Sequence, residues 1–460
     1  MTAAKSIRTR VSHALCAALA LVAILTLADE ADASEVLRAN LVVTGSFHTC
    51  AMRTVGGITC WGRNQTGALG YGNTRDRSSP SISPIRFPGS ILPVKLFAGY
   101  DGTCVIDEDR AARCWGVNDS GQLGTGDQQA RLAPPATAIN FAGTDVDQIA
   151  AGQKFSCAVL IDGGLSCWGS NTYGRLGYGH TTDVLVPGAH RVDLGPGRTA
   201  LKVSLGVASA CALLDNRSVK CWGYNPRGEL GYGDAIDRHA PPSAPVDLGA
   251  GRQANDIAVG AHSACALLDG GDIKCWGDNG QGQLGYGDYV TRLRPPSTTL
   301  TLGAAAKQLL VGTFIGCAVL ITDRVKCWGL NDYGQSGYGD ATPRPAPTNE
   351  VLSFDPPEVP SLSLDNHHVC GRYADATVRC WGRNSWGNLG YGDTSSRSGP
   401  PSSLPALLAE PSPSCPDVQV VGVRGSRSSD TQPRTRRSIR LQDRVSWRRM
   451  TGCGRRGRDR

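Results

Sequence analysis

The chain has 460 residues, of which 58 are Gly, 27 Pro and 17 Cys, and only 19% are charged. That balance excludes a coiled coil or a long helical solenoid, and 40% hydrophobic residues exclude a wholly disordered chain. The formal charge of +7 sits in one place: residues 416–460 carry 13 Arg against 4 Asp, so the body is near neutral and lacks the electrostatic footprint of a nucleic-acid binder.

Lys5, Arg8 and Arg10 precede an apolar run from Ala14 to Ala28, and Ala31-Asp32-Ala33 follows. The run is shorter than the ~20 residues of a comfortable membrane span. Charged, apolar and small-residue parts in this order read as a secretory signal peptide over residues 1–33, cleaved after Ala33. An uncleaved N-terminal anchor is the alternative. Cys16 follows Leu15 rather than the small residue expected before a lipidated cysteine. No second long apolar stretch occurs, so no transmembrane span is expected once the leader is removed.

From Cys60 onward one segment, Cys-Trp-Gly-x-Asn-x-x-Gly, recurs seven times, starting at Cys60, Cys114, Cys167, Cys221, Cys275, Cys327 and Cys380. The steps are 54, 53, 54, 54, 52 and 53 residues. Each copy has an earlier cysteine ten residues upstream: Cys50, Cys104, Cys157, Cys211, Cys265, Cys317 and Cys370. In the fifth copy Ala264 to Leu268 is an apolar strand, Asp269-Gly270-Gly271-Asp272 is turn chemistry, and Ile273 to Trp276 is the returning strand. A hairpin centred on Gly270 sets Cys265 opposite Cys275, about 4.5–5.5 Å away, within reach of a disulfide. Seven such bonds each close a short loop, contributing roughly 2.5–3 kcal/mol on the chain-entropy account. Reduced core thiols are the alternative; zinc needs four ligands where one hairpin supplies two. Leader and cysteine pairs both imply an oxidising compartment.

After each Gly-x-Gly come a Pro-rich stretch and another short apolar strand, such as Asp256 to Gly260. About four short strands per repeat, seven times, predict an all-β, seven-bladed β-propeller over residues 34–415. The residues before Cys50 and after Cys380 together match one inter-hairpin segment, so the last blade is expected to combine strands from both termini.

The run Gly-x-Asn-x-x-Gly-Gln-Leu-Gly-x-Gly, after a Cys-Ala-Leu-type strand, resembles the repeat of the regulator-of-chromosome-condensation family. The fifth copy, Trp276 to Asp288, is close to that family's pattern, and the resemblance spans roughly residues 36–412. It implies a seven-bladed propeller. A His two positions before the first cysteine, frequent in the family, occurs only as His48 and His368; Gly102, Phe155, Ser209, Ser263 and Ile315 stand elsewhere. Ser336 replaces a Leu, and Thr125 a Tyr. The paired cysteines suggest an exported, bacterial-type branch. The family's best-known activity, nucleotide exchange on a nuclear GTPase with docking on chromatin, needs partners that an exported protein does not meet. Exported members resembling this chain bind proteins, one inhibiting β-lactamases by covering them with the propeller face.

Gly285 and Gly287 lack the Lys-Ser/Thr of a phosphate loop and read as turn residues. The seven Trp after the second cysteines read as blade packing, and the repeated Asn, from Asn64 to Asn384, as turn formers. Asp127, Asp234, Asp288, Asp340 and Asp393, one per blade, are too dispersed for calcium. No catalytic constellation, cofactor motif or metal set stands out. The two residues between Asn and Gly vary freely, ending in Thr66, Ser120, Tyr173, Arg227, Gln281, Tyr333 and Trp386. If these tips share one rim, they form a variable binding ring; tolerant surface loops are the alternative. The tail, residues 416–460, reads as disordered, either a solvated extension or an arm for nucleic acid or an anionic surface. Cys415 and Cys453 are free to pair.

The expectation is a monomeric, exported, disulfide-stapled, non-enzymatic scaffold in the periplasm, at the cell surface or in the medium, binding a protein or an envelope component. A small-GTPase regulator and an extracytoplasmic enzyme with an axial site are the alternatives. Mass spectrometry of the natively produced protein should find an N-terminus at Ser34 and seven bonded cysteine pairs; an intact Met1 with free thiols would overturn the export argument.

Overall fold

A computed structural model describes residues 35–350, 352, 361–365 and 367–407. The expected leader (residues 1–33), Cys16, the Arg-rich segment 416–460, Cys415 and Cys453 lie outside the described residues.

The repeats fold as seven antiparallel sheets in chain order. Blade 1 is Ala39–Thr44, His48–Arg53 and Ile58–Gly62. Blade 2 is Pro93–Ala98, Gly102–Asp107 and Ala112–Gly116; blade 3 is Val146–Ala151, Phe155–Leu160 and Leu165–Gly169. Blade 4 is Ala200–Leu205, Ser209–Leu214 and Val219–Gly223; blade 5 is Ala254–Val259, Ser263–Leu268 and Ile273–Gly277. Blade 6 is Ala306–Val311, Ile315–Leu320 and Val325–Gly329; blade 7 is Ser361–Leu364, His368–Arg372 and Val378–Gly382. The first strand of every blade abuts the first strands of both neighbours, and blade 7 abuts blade 1, so the ring is closed around these inner strands. This is the expected β-propeller.

Among the described residues each blade has three strands, not about four. Past the outer strand, the chain touches it only at isolated points. Gly223 exchanges two backbone hydrogen bonds with Arg238, and six equivalent bridges repeat this. Then proline intervenes, and one apolar residue returns, as Val246 N–H does to the Val219 carbonyl at 2.8 Å. A segment such as Pro241-Pro242 has no N–H to offer a ladder, so the fourth strand shrinks to its two ends.

Cysteine register is as expected: Cys265 lies opposite Cys275, and all seven pairs are bonded with Cα separations of 4.0–4.1 Å. The core is divided into seven layers, each between two blades. The layer between blades 4 and 5, for example, holds Cys211, Cys221, Leu230, Val246 and Leu248 against Ile257, Ala264 and Trp276.

The motif tryptophans are fully buried and clasp each blade to the one before it. Trp222 Nε1 donates to the Arg175 carbonyl at 3.0 Å, and Trp276 Nε1 to that of Glu229 at 2.9 Å. Trp61 closes the ring by donating to the Asn388 carbonyl at 3.0 Å. The indole lies on the glycine two residues further along, where a Cβ on Gly231 would stand 2.7 Å from Trp276 Nε1. Only glycine fits there, and its φ of +80° is one that other residues rarely adopt.

The termini meet, but not as expected. All three strands of blade 7 come from one stretch of chain. Glu35–Val36 and Ala406–Leu407 instead pair as a separate two-stranded ribbon. Leu37 and Leu407 pack into the layer between blades 7 and 1 with Trp61 and Leu389. Apolar residues from both ends thus complete that layer's core, and no strand is exchanged.

Two buried imidazoles stand at this seam and at the next one, between blades 1 and 2. His368 Nε2 is 2.9 Å from Thr49 Oγ1, which donates to the Asn388 carbonyl; His48 Nε2 is 2.9 Å from Thr103 Oγ1, which donates to the Ala68 carbonyl. Each hydroxyl spends its proton on a carbonyl, so each imidazole donates from Nε2; each Nδ1 is buried without a partner, which disfavours a second proton. Burial lowers His48 to about 4 and His368 to about 3. The stability held by the neutral rings is therefore complete above the ordinary histidine value and is lost as pH falls from about 6.5 to about 4 for His48 and about 3 for His368. The double variant H48S/H368S, with the serine of blades 4 and 5, should be less stable at neutral pH but lose less on acidification across that window. Denaturant titrations at several pH values check this, and an unchanged pH slope would sink it.

Candidate functional site

One rim of the ring is built from two sets of loops. The first joins inner to middle strands; the second follows each Cys-Trp-Gly. Backbone hydrogen bonds tie them together: Arg63 N–H to Phe47 O at 2.9 Å, Tyr224 to Ala208 at 3.0 Å, Arg383 to His367 at 2.9 Å. Each tip is braced by its motif Asn. Asn279 Oδ1 accepts from Leu284 N–H at 2.9 Å while Nδ2 donates to the Asp288 carbonyl at 2.8 Å. This fixes the tips and leaves their two variable residues for the rim.

The predicted tip residues fare differently. Tyr173, Arg227, Gln281 and Tyr333 are exposed, and Thr66 and Trp386 are half-buried. Ser120 does not belong to an exposed ring. It is buried, with its N–H on Gln122 Oε1 at 2.9 Å and its hydroxyl on Asp119. Gln281 and Tyr333 make the same N–H contact to Gln283 and Gln335 and stay exposed, so it is the short side chain of Ser120, turned back on an Asp119 carboxylate that also accepts from Gln122 Nε2 at 3.0 Å, that leaves this tip buried.

The tips do not pair with one another. Four of them pair with the residue after Cys-Trp-Gly of the next blade. Tyr173 packs on Tyr224 with centroids 4.5 Å apart, and Arg227 bonds Asp278 at 2.8 Å. Arg383 lies over Tyr333 at 4.9 Å, and Arg63 lies over Trp386 at 5.3 Å. The mouth loops extend these pairs: His367 stands edge-on to Tyr333 at 5.7 Å, Arg63 also covers Phe47 at 5.4 Å, and Phe47 meets Tyr100 at 6.4 Å. Sequence reasoning missed Arg63, Tyr224, Asp278 and Arg383. The signal was present, because that position varies as much as the tips do and its partners are chemically matched.

At the centre, Tyr100, Gln153, Thr313 and Asp365 help line an axial depression of about 60 Å³. Burial raises both the Tyr100 phenol and the Asp101 carboxyl, the latter against the pull of Arg63. Between blades 4 and 5, buried Glu229 accepts the Arg227 N–H at 2.9 Å and lies 3.3 Å from His262 Nδ1. Among the described residues no group of three or more His, Cys, Asp and Glu is placed to hold a metal ion. The repeated aspartates are committed locally. Asp234, Asp288 and Asp340 bond Arg238, Arg292 and Arg344, which hold them down at about 2, and those arginines lie over Tyr232, Tyr286 and Tyr338.

The opposite rim is made of hairpin tips, where Val55, Ile161 and Ile321 are exposed singly. Among the described residues no helix is long and apolar enough to cross a membrane.

Comparison with known proteins agrees with this geometry. Profiles of the regulator of chromosome condensation (RCC1) repeat match residues 94–122, 146–175 and 255–283, and residues 114–159 and 162–213. The ultraviolet-B receptor UVR8 of Arabidopsis thaliana is 29% identical over 363 residues, 78% of this chain and 80% of that protein. The RCC2 homolog of Danio rerio is 27% identical over 347 residues, covering 69% and 68%. Human WBSCR16 superposes with a TM-score of 0.64 at 17% identity, covering 74% of this chain and 88% of that one. Yeast RCC1 (Prp20) bound to Kap60 gives 0.64 at 20% identity, covering 80% and 85%. Prp20p of Saccharomyces cerevisiae, solved with an account of its binding to Gsp1p and histones, gives 0.63 at 19%, covering 79% and 86%.

The stacked pairs make a direct prediction. In a double-mutant cycle, Y333A and R383A should show a stability coupling of roughly 0.5–1 kcal/mol, the range for an exposed cation–aromatic contact. Strict additivity in thermal or denaturant unfolding would mean the two side chains merely adjoin.

Proposed function

For a chain that carries regulator-of-chromosome-condensation repeats, we propose an exported, disulfide-stapled scaffold that binds a partner protein on the axial rim and carries out no chemistry of its own. The observation that carries this reading is the composition of that rim. Tyr173, Tyr224, Tyr333, Trp386 and the arginines beside them are the residue types that dominate protein interfaces, and they are concentrated at one end of the ring. Bracing by the motif Asn and the inter-blade pairs pre-organises these side chains, which lowers the ordering cost of association. Seven disulfides favour an oxidising compartment, and the apolar leader read from the sequence points the same way. An envelope component is the other ligand class that an exported scaffold would meet.

The similarity to yeast RCC1 (Prp20), described with binding to Gsp1p and histones, favours a second reading, a regulator of a small GTPase inside the cell. The compartment separates the two.

A photo-reactive phenylalanine derivative placed at Tyr173 or Tyr333, in the organism that makes the protein, should give a discrete heavier adduct on illumination. The same probe at Ile161 or Ile321 should give none. Adducts from both rims alike, or from neither, would overturn the reading, and a GTPase in the adduct would install the second one.

A further inference from the structure

Two arginines of the binding rim are satisfied within the protein. Arg227 is neutralised by Asp278. Arg175 is buried, and its guanidinium donates to the carbonyls of Thr172 at 2.9 Å and Val207 at 3.3 Å. Two adjacent seams differ. Where blade 7 follows blade 6, Arg383 lies over Tyr333, its Nε donates to Ser385 Oγ at 3.0 Å, and it forms no ion pair with any described carboxylate. Where blade 1 follows blade 7, Arg63 is held between Phe47 and Trp386. Its Nε and Nη2 donate to Gln65 Oε1 at 3.3 and 3.0 Å, and its Nη1 donates to Asp101 Oδ2 at 3.4 Å, a longer ion pair than the 2.8 Å one of Arg227. Both guanidiniums are only partly covered.

We infer that the rim sector from Tyr333 through Arg383, Trp386 and Arg63 to Phe47 and Tyr100 is the docking surface for an acidic protein segment, one that presents Asp or Glu side chains next to apolar ones. This rests on the rim being the partner surface and names the partner's chemistry. A guanidinium held over an aromatic ring has one face partly desolvated and its rotamers restricted, while the N–H groups that its neighbours leave unused remain available to a partner. That edge matches a carboxylate, which is planar and accepts two parallel hydrogen bonds. The rings between the two arginines offer apolar surface for the neighbouring side chains. The sector presents this combination twice, one blade apart. A nucleic-acid strand fits less well. Asp119 is exposed elsewhere on the same rim, and the described residues carry no basic track for a continuous phosphate backbone.

The test uses the full chain and a fluorescent peptide of Glu-Glu-Phe repeats with a photo-reactive group at one end. Anisotropy should show saturable binding that R63A and R383A each weaken by about fivefold or more, with R383K recovering only part. R324A, in a hairpin tip of the opposite rim, should bind as the parent does. After illumination, peptide adducts should map to residues 63–66, 332–334 and 383–386. Parent-like binding by R63A and R383A, or adducts confined to residues 416–460, would overturn the inference. So would a single-stranded oligothymidylate or a heparin oligosaccharide that binds more tightly and is weakened equally by the two substitutions. Native-partner adducts at Tyr173 together with any of those failures would leave the rim reading standing while removing the acidic-segment assignment.

Discussion

An indole N–H donated across a blade boundary is the constraint on which this ring depends. Each motif tryptophan leaves its own outer strand and reaches a backbone carbonyl of the preceding blade, from Trp61 on Asn388 to Trp381 on Gln335. The donor is buried, so leaving it unpaired would cost about 1–3 kcal/mol per blade. The neighbouring residues serve that contact. A glycine lets the ring approach, the disulfide beside the tryptophan fixes its strand, and the motif Asn shapes the loop that carries the accepting carbonyl. In three blades a middle-strand hydroxyl shares the same carbonyl, as Thr49 does with Trp61 on Asn388. Both lone pairs of that oxygen are then used, which accounts for a threonine or serine in the middle of an otherwise apolar strand.

The rim takes its order from the clasp. Because each blade docks on its predecessor with the same geometry, the residue after Cys-Trp-Gly always arrives beside the preceding tip. The variable positions therefore meet in pairs at seams, and their chemistry is matched there: ring with ring, ring with guanidinium, guanidinium with carboxylate. A rim so built is stiff. Its aromatic groups are held by neighbours rather than by a partner, and its charge is distributed unevenly around the circle.

Much of this was legible in the sequence because it recurs. Seven evenly spaced Cys-Trp-Gly segments define the blade count, and a ten-residue cysteine spacing around turn residues defines the hairpin register. The roles of the motif Asn and Trp follow from residue type and repetition. What the sequence hid depends on contacts about fifty residues apart or on one copy's departure from the rest. The pairing of Arg227 with Asp278 is invisible without the docking angle between blades. Ser120 resembles the other tips as text, yet its short side chain turns back on Asp119 and is buried. The fourth strand was overcounted because apolar alternation persists across a stretch whose prolines cannot sustain a ladder. The terminal ribbon of Glu35–Val36 with Ala406–Leu407 lies in segments that carry no copy of the motif.

The clasp always points backward along the chain, and it uses only parts that every repeat contains. Exchange of one repeat for another by recombination within the gene would therefore leave all seven clasps intact. The same exchange would rewrite two seams, since each inserted blade brings both a tip for its successor and a facing residue for its predecessor. The unit that selection can shuffle is the repeat, while the unit that it evaluates on the rim is the junction between repeats. A scaffold with that property can acquire new surfaces in steps of two without reopening its core.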